Sequence, residues 1–451
     1  MDFTLFKQHC FVAAARMGFD NWEIYFAKSK EFMVRVRDGK ILEYKNAYTQ
    51  GLSFRGKIDG RMGYAYTENP DENIIDTMLL KAIENAKIIN SEDEEFLFRG
   101  AKDYPRAQIY FPEINEITVP QKIQLALDME QAAFAADPRV KAVSYCGVAN
   151  EEEELYISNS YGLDVNSKRN LFDAFIDVIV EENGVTKTGY KVFIGSDINK
   201  CDPKKIAEKA VEMAVTFLAA RTIPSETLPV MFDKYTAGDI LGVFAYGFTA
   251  ENAQKGFSLL KGKEGQQIAS EIVTIHDDGI HLSSFANNLF DSEGVPCRNK
   301  VVVDKGVLTT LLYNLKSSAK EGKESTGNGF KHSFRGTVDT SITNFYIKPT
   351  DTSPESIIAG IKRGVLVTQL AGLHSGANPI TGDFSLSVSG FLIENGQKIR
   401  PVEQITVAGN FYELLNNITA VGSDLHFDVP RGSGCVGCPS ILVKSLNIAG
   451  E

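Results

Sequence analysis

Apolar residues recur every three to four positions over residues 4–18, where Phe6, Cys10, Ala13 and Ala14 share one face of a predicted first helix. The period then drops to two. Residues 23–28 and 32–37 alternate apolar and polar side chains as half-buried strands do, and Asp38-Gly39 predicts a two-residue hairpin into a strand over 41–45. Strands over 49–55 and 61–67, divided by Asp59-Gly60, continue the meander. Asp71 is the expected N-cap of a helix over 71–90 with an acidic first turn. A polar connection fills 91–118, and Pro120 opens a helix over 120–136. Further strands are expected at 138–148, 153–158, 171–182 and 186–194, with turns at Tyr161-Gly162 and Asn183-Gly184, before a helix over 202–221 capped by Asp202. Helices packed on an antiparallel sheet make this half α+β.

Two prolines and small polar residues interrupt both periods at Thr222-Ile-Pro-Ser-Glu-Thr-Leu-Pro229, which places a boundary between residues 1–224 and 225–451. One helix is predicted at 235–253. Beyond it strands dominate, at 270–275, 298–304, 307–310, 342–348, 384–394, 398–401 and 441–448, with short helices at 312–321, 353–362 and 411–419. Glycine-rich stretches such as 375–382 and 431–435 suit the tight corners of a barrel-like or sandwich β domain. The 451 residues are too many for one ordinary core, in keeping with two domains.

Charge narrows the function classes. A net charge of -11 and a pI near 5.3 argue against a broad nucleic-acid surface, and the basic run 255–263 lies among acidic neighbours. No window holds 18 uninterrupted apolar residues, so no membrane span is expected. The N-terminal stretch reads as a helix of the fold, not a leader. The cysteines at 10, 146, 201, 297, 435 and 438 are mostly far apart, as free thiols of a reducing, cytoplasmic protein would be.

The ordered set Phe290-Asp-Ser-Glu-Gly-Val-Pro296, Ser325-Thr-Gly-Asn328, residues 372–390, Val407-Ala-Gly-Asn410 and the closing Pro439-Ser-Ile-Leu-Val to Asn447-Ile-Ala-Gly450 resembles the TldD/PmbA family of metalloproteases, also called modulators of DNA gyrase. That family carries a metal-binding His-Glu-x-x-x-His pattern on a helix. Aligned on Lys255-Gly256 and Gly262-Lys263, the pattern falls on Leu241, Gly242 and Tyr246, none of which replaces an imidazole ligand or a general base. The chain therefore resembles the metal-free, PmbA (TldE)-like branch. The resemblance implies an N-terminal α+β domain, a β-rich C-terminal domain, and a dimer with a TldD-type metal-bearing subunit or with itself. It implies peptides or small unfolded proteins as substrates, zinc in the partner, no cofactor in this chain, and only indirect effects on gyrase. In the metal-bearing branch a cysteine near the C-terminus completes the metal site; the matching stretch here is about Leu425-His-Phe-Asp-Val429.

Apart from the family, the residues carry chemistry of their own. Leu241, Phe244 and Phe248 form an apolar stripe, so the 240–254 helix is expected to pack. His276-Asp-Asp-Gly-Ile-His281 offers two imidazoles and two carboxylates to a divalent metal, but Asp278-Gly279 is equally a hairpin turn that would set His276 and His281 on neighbouring strands. Cys435-Val-Gly-Cys438 has zinc-knuckle spacing with His426 as the only nearby third ligand, and a plain turn is the competing reading. His374 opens the block Ser375, Gly376, Ala377, Asn378, whose amides are candidates to hold a carboxylate or extended peptide, with Asn328 and Asn410 expected nearby. No serine-nucleophile elbow or phosphate loop is present. The expected role is a non-catalytic subunit of a peptidase. The alternatives are a metal-dependent peptidase in its own right and a homodimeric peptide-binding protein.

Overall fold

The computed structural model describes residues 3–88, 94–430 and 432–451. Its first half is built on six long strands: β1 (Asn21–Arg37), β2 (Lys40–Ile58), β3 (Arg61–Thr67), β4 (Val140–Asn159), β5 (Asp164–Glu182) and β6 (Val185–Gly195). They pair antiparallel in the order β3-β2-β1-β4-β5-β6. The hairpins turn at Asp38-Gly39, Asp59-Gly60 and Asn183-Gly184, all six residues having positive φ, as the right-handed twist of two-residue hairpins requires.

Where the sequence predicts short strands broken near 29–31, 46–48 and 149–152, the strands run through without a break. Those polar runs are not turns. They lie where one sheet face meets a groove and the other reaches past its helices, so neither face requires apolar residues. Of the even-numbered side chains of β1, Ile24 and Phe26 lie in one core and Phe32, Val34 and Val36 in an adjoining one, beneath four helices, Phe3–Arg16, Ile75–Ile88, Val119–Ala136 and Pro203–Thr216. The helix expected over 71–90 begins with a short turn capped by Asp71, and residues 89–90 lie outside the described ones. The odd-numbered face, with Tyr25, Ala27, Ser29 and Glu31, looks toward the second half of the chain.

In that half, strands Glu226–Phe232, Arg363–Ala371, Asp383–Glu394, Gln397–Asn410 and Ile441–Ala449 close into a five-stranded barrel, sealed by pairing of Thr406–Ala408 with Asn447–Ala449. A second sheet runs in the order 307–308, 300–304, 275–278, 344–347, 435–438, 426–427. Helix Lys234–Phe244 lies between barrel and sheet, and the core around it includes Val230, Phe232, Val367, Phe345 and Cys438. The α+β first half and barrel-like second half agree with the fold class expected from the sequence. Two barrel strands, 226–232 and 363–371, had no alternating signal because both faces are largely buried. Among the described residues no helix is long and apolar enough to cross a membrane.

Candidate functional site

Asp233 opens the 234–244 helix, its Oδ1 accepting N–H bonds from Tyr235 and Thr236 at 3.2 and 2.9 Å. The uninterrupted helix expected over 235–253 is not formed. It ends at Phe244, tightens into a 3-10 turn over Ala245–Phe248, and restarts at Ala250. Thr249 accounts for the break: its hydroxyl donates to the Tyr246 carbonyl at 2.8 Å, a local bond that competes with the helix ladder. Leu241 is 2% exposed in the barrel–sheet core, and Gly242 faces Val436, whose Cγ2 lies 3.7 Å from where a Cβ would stand. Tyr246 is exposed on the 3-10 turn. It borders a cavity of about 200 Å³ together with Glu251, Lys255, His332 and Asp339. These positions do not fit a catalytic metal: one side chain is spent in the core, one is absent, and the third is a phenol. Among the described residues no three His, Cys, Asp or Glu side chains are placed to share a metal ion.

His276 and His281 do not occupy neighbouring strands. His276 is on strand Ile275–Asp278, and His281 lies in the loop after it. Both rings pack on Tyr346, with centroids 5.3 and 5.0 Å away. Nδ1 of His276 bonds the Asn299 side chain at 2.8 Å, and Nδ1 of His281 accepts the Ser283 N–H at 3.2 Å. Asp277 is wholly buried, tied to Lys300, Asn328 and Thr343. Asp278 caps its own turn through Ile280 N–H.

Cys435 and Cys438 are likewise separated. They lie three residues apart on one extended strand, so their side chains leave opposite faces. Cys435 joins Ala286, Tyr346 and Phe427 on one side, while Cys438 enters the barrel–sheet core on the other. Burial holds the Cys438 thiol well above its ordinary range, which disfavours the thiolate a metal or a redox partner needs. His426 meets the Tyr235 ring edge-on, and burial pushes its pKa down to about 4.

The glycine block is an ordered loop between two barrel strands. Its amides are already bonded inside it: Ser375 and Gly376 N–H donate to the Gly372 carbonyl, and Asn378 N–H donates to that of Asp383. Asn410 secures the loop through Nδ2 bonds to the Thr381 carbonyl and Asp383 Oδ1, both 2.9 Å, while His374 and Ser375 are exposed. Asn328 is not in this group. It is buried beneath strand 275–278, bonded to Asp277 and the Ser341 carbonyl.

A site that no single motif announced lies between the two halves. A groove of about 380 Å³ separates the open face of β1, β4 and β5 from residues 287–292, 330–334 and 432–433. Its floor carries Tyr25, Ser29, Glu153 and Arg169; the last two form an ion pair. Its far wall carries Asn288, Ser292 and Phe334. Phe330 and His332 border both this groove and the smaller cavity at Tyr246, so the two are neighbours along strand Gly329–Lys331. Lys331 spans the junction, its Nζ donating to Ser53 Oγ at 2.9 Å and lying 4.6 Å from the Tyr25 ring centre; burial lowers its pKa to about 7. The lining comes from segments up to four hundred residues apart, of which only residues 290–292 and the glycine-rich 432–433 stood out in the sequence.

Residues 22–87, 112–218 and 225–450 match, in turn, domain 1, the central domain and the C-terminal domain of the PmbA/TldA metallopeptidases. A candidate modulator of a DNA gyrase from Thermotoga maritima has a crystal structure that superposes with a TM-score of 0.91 at 32% identity, covering 99% of this chain and all of that one. TldE from Thermococcus kodakarensis superposes at 0.87 with 25% identity, over 98% of this chain and all of that one. In sequence, Metalloprotease PmbA of Escherichia coli O157:H7 is 26% identical over 96% of this chain and 93% of its own length. With all three domains matched in order along one fold, the chain belongs to the PmbA/TldD metallopeptidase family.

Proposed function

We propose that this chain is a PmbA (TldE)-type subunit that lacks a metal site of its own and serves in proteolysis beside a metal-bearing, TldD-type relative. The observation that carries this reading is the packing of Leu241 into the core at the aligned first-histidine position, with Gly242 and Tyr246 at the other two. An imidazole at 241 would disrupt the junction of barrel and sheet.

The role left to this chain is to bind and enclose. The interdomain groove is mixed in polarity, with hydroxyls, amides and the ion pairs Arg169–Glu153 and Lys28–Glu154 beside Tyr25, Phe290 and Phe334. Such a lining suits extended peptide, whose backbone needs hydrogen-bond partners and whose side chains vary. It replaces the glycine block as the proposed peptide-holding surface, since the amides of Ser375, Gly376 and Asn378 already have partners.

Peptide turnover by this chain alone, by a metal-bearing relative alone and by the mixture, each with and without zinc, tests the proposal. Turnover in the mixture at a rate neither chain reaches alone is expected. Turnover by this chain alone, abolished by a chelator, would overturn it.

A further inference from the structure

Lys331 reaches from the C-terminal half across the cross-strand pair that Tyr25 of β1 makes with Ser53 of β2. Its Nζ donates to Ser53 Oγ at 2.9 Å and stands 4.6 Å from the Tyr25 ring centre. Among the described residues no carboxylate lies within ion-pairing distance of that nitrogen. Two positions along the same face of β2 stands Arg55, a cation that opposes a second one beside it. Glu23, Glu293 and Glu95 act the other way, but burial and Arg55 prevail, and about half of the amine is neutral near pH 7. An ordinary exposed lysine is neutral there to about one part in two thousand.

A desolvated amine next to another cation is the setting in which lysine attacks carbonyl carbon. One N–H goes to Ser53, which leaves the lone pair of the neutral form free. Ser53 is 6% exposed and does not line the interdomain groove, whereas Lys331 does, so the amine is the member of this pair that a ligand meets. We propose that Lys331 is a covalent capture site for aldehydes, forming an imine with a ligand held in the interdomain groove. The lone pair forms the C–N bond at the carbonyl carbon while the π pair moves to oxygen. That oxygen takes up the proton the nitrogen loses, and departure of water from the carbinolamine leaves the imine, with no oxidant or reductant required. Tyr25, Phe290 and Phe334 in the lining suit an apolar or aromatic body on the aldehyde, and the carboxylates of Glu151, Glu153 and Glu154 disfavour an anionic one. The setting of the amine comes from the fold alone, so this inference does not rest on the proposed peptidase role.

The test is labelling of the purified full chain with benzaldehyde and sodium cyanoborohydride, which reduces an imine to a stable secondary amine. Mass-spectrometric peptide mapping then gives the rate at each lysine of the wild type, so the outcome does not depend on a variant folding. At about pH 7 Lys331 is expected to be labelled at least about tenfold faster than exposed lysines, and its rate should fall as pH drops below about 7. Lys331→Arg keeps a cation and its donors without a nucleophile. It is expected to lose that share of the label while circular dichroism shows a folded chain and the other lysines keep their rates. Labelling of Lys331 no faster than of exposed lysines, or labelling of it only after unfolding in urea, would overturn the proposal.

Discussion

Asp173 illustrates how a single side chain carries a pH signature. It lies on the groove-facing side of β5, and burial raises its carboxyl from 3.8 to about 7. Between those values the folded state holds a proton that the unfolded chain has released, so stability falls as pH rises from about 4 to about 7. Asp173→Asn removes the titration. It is expected to raise unfolding free energy by on the order of 2 kcal/mol at pH 8 and to leave it nearly unchanged at pH 4, read by urea denaturation at both values. At Leu241 the expected effect has the opposite sign. Leu241→His places an imidazole in an apolar core and should cost about 3 kcal/mol, with no zinc retained after dialysis. The identities of Leu241, Gly242 and Tyr246, and the apolar stripe that buries Leu241, could be read directly from the sequence, but the exposure of Tyr246 on a 3-10 turn could not.

At the scale of elements, close approach of helix to sheet decides which glycines matter. A Cβ on Gly63 in β3 would lie 2.0 Å from the Ala82 carbonyl oxygen, and one on Gly189 in β6 would lie 2.0 Å from that of Ala210. Each outer strand therefore seats a helix directly on its backbone. Either glycine replaced by alanine forces the helix outward, and a loss of about 3 kcal/mol is expected in thermal or urea unfolding. Gly60, with open space around it and φ of 76°, should lose only about 1 kcal/mol on the same change. The same scale explains which elements the sequence revealed. Hairpins at Asp38-Gly39, Asp59-Gly60 and Asn183-Gly184 declare themselves through turn chemistry, Asp71 and Asp202 mark helix starts by side-chain capping, and Pro120 marks a third, whose Thr118 cap the structure adds. The 3-10 interruption at Ala245–Phe248 gave no such signal, because its apolar residues keep a helical spacing while Thr249 withdraws the Tyr246 carbonyl from the ladder.

Across the whole molecule, the two halves are joined by buried charge. Arg55 of β2 bonds Glu23 of β1 at 2.7 Å and lies 3.9 Å from Glu293 of the C-terminal half, with all three side chains at most 5% exposed. Removing the cation leaves the buried Glu23 carboxylate without its partner, so Arg55→Ala is expected to destabilise the chain by about 4 kcal/mol. Limited proteolysis should then cut between residues 218 and 226, where the two halves connect, sooner than in the wild type. Glu23→Gln, which leaves one carboxylate for Arg55, should cost less in the same assay. The groove proposed to hold peptide lies beside this network, and its lining follows from the way the two halves dock.

The sequence by itself determined the local grammar of this protein: strand and helix periods, turn residues, caps and the family-specific segments. These are properties of neighbouring residues, whose backbone preferences and side-chain spacing act within a few positions. Tertiary structure alone decided the continuity of the long strands, the closure of the barrel through the 226–232 and 363–371 strands, and the separation of Cys435 from Cys438 onto opposite faces. It also decided that Asn328 and Asn410 belong to different networks, and that Tyr25, Arg169, Ser292 and Lys331 meet at one groove. Those outcomes depend on which surfaces are buried against which, and burial couples residues hundreds of positions apart that no local pattern connects.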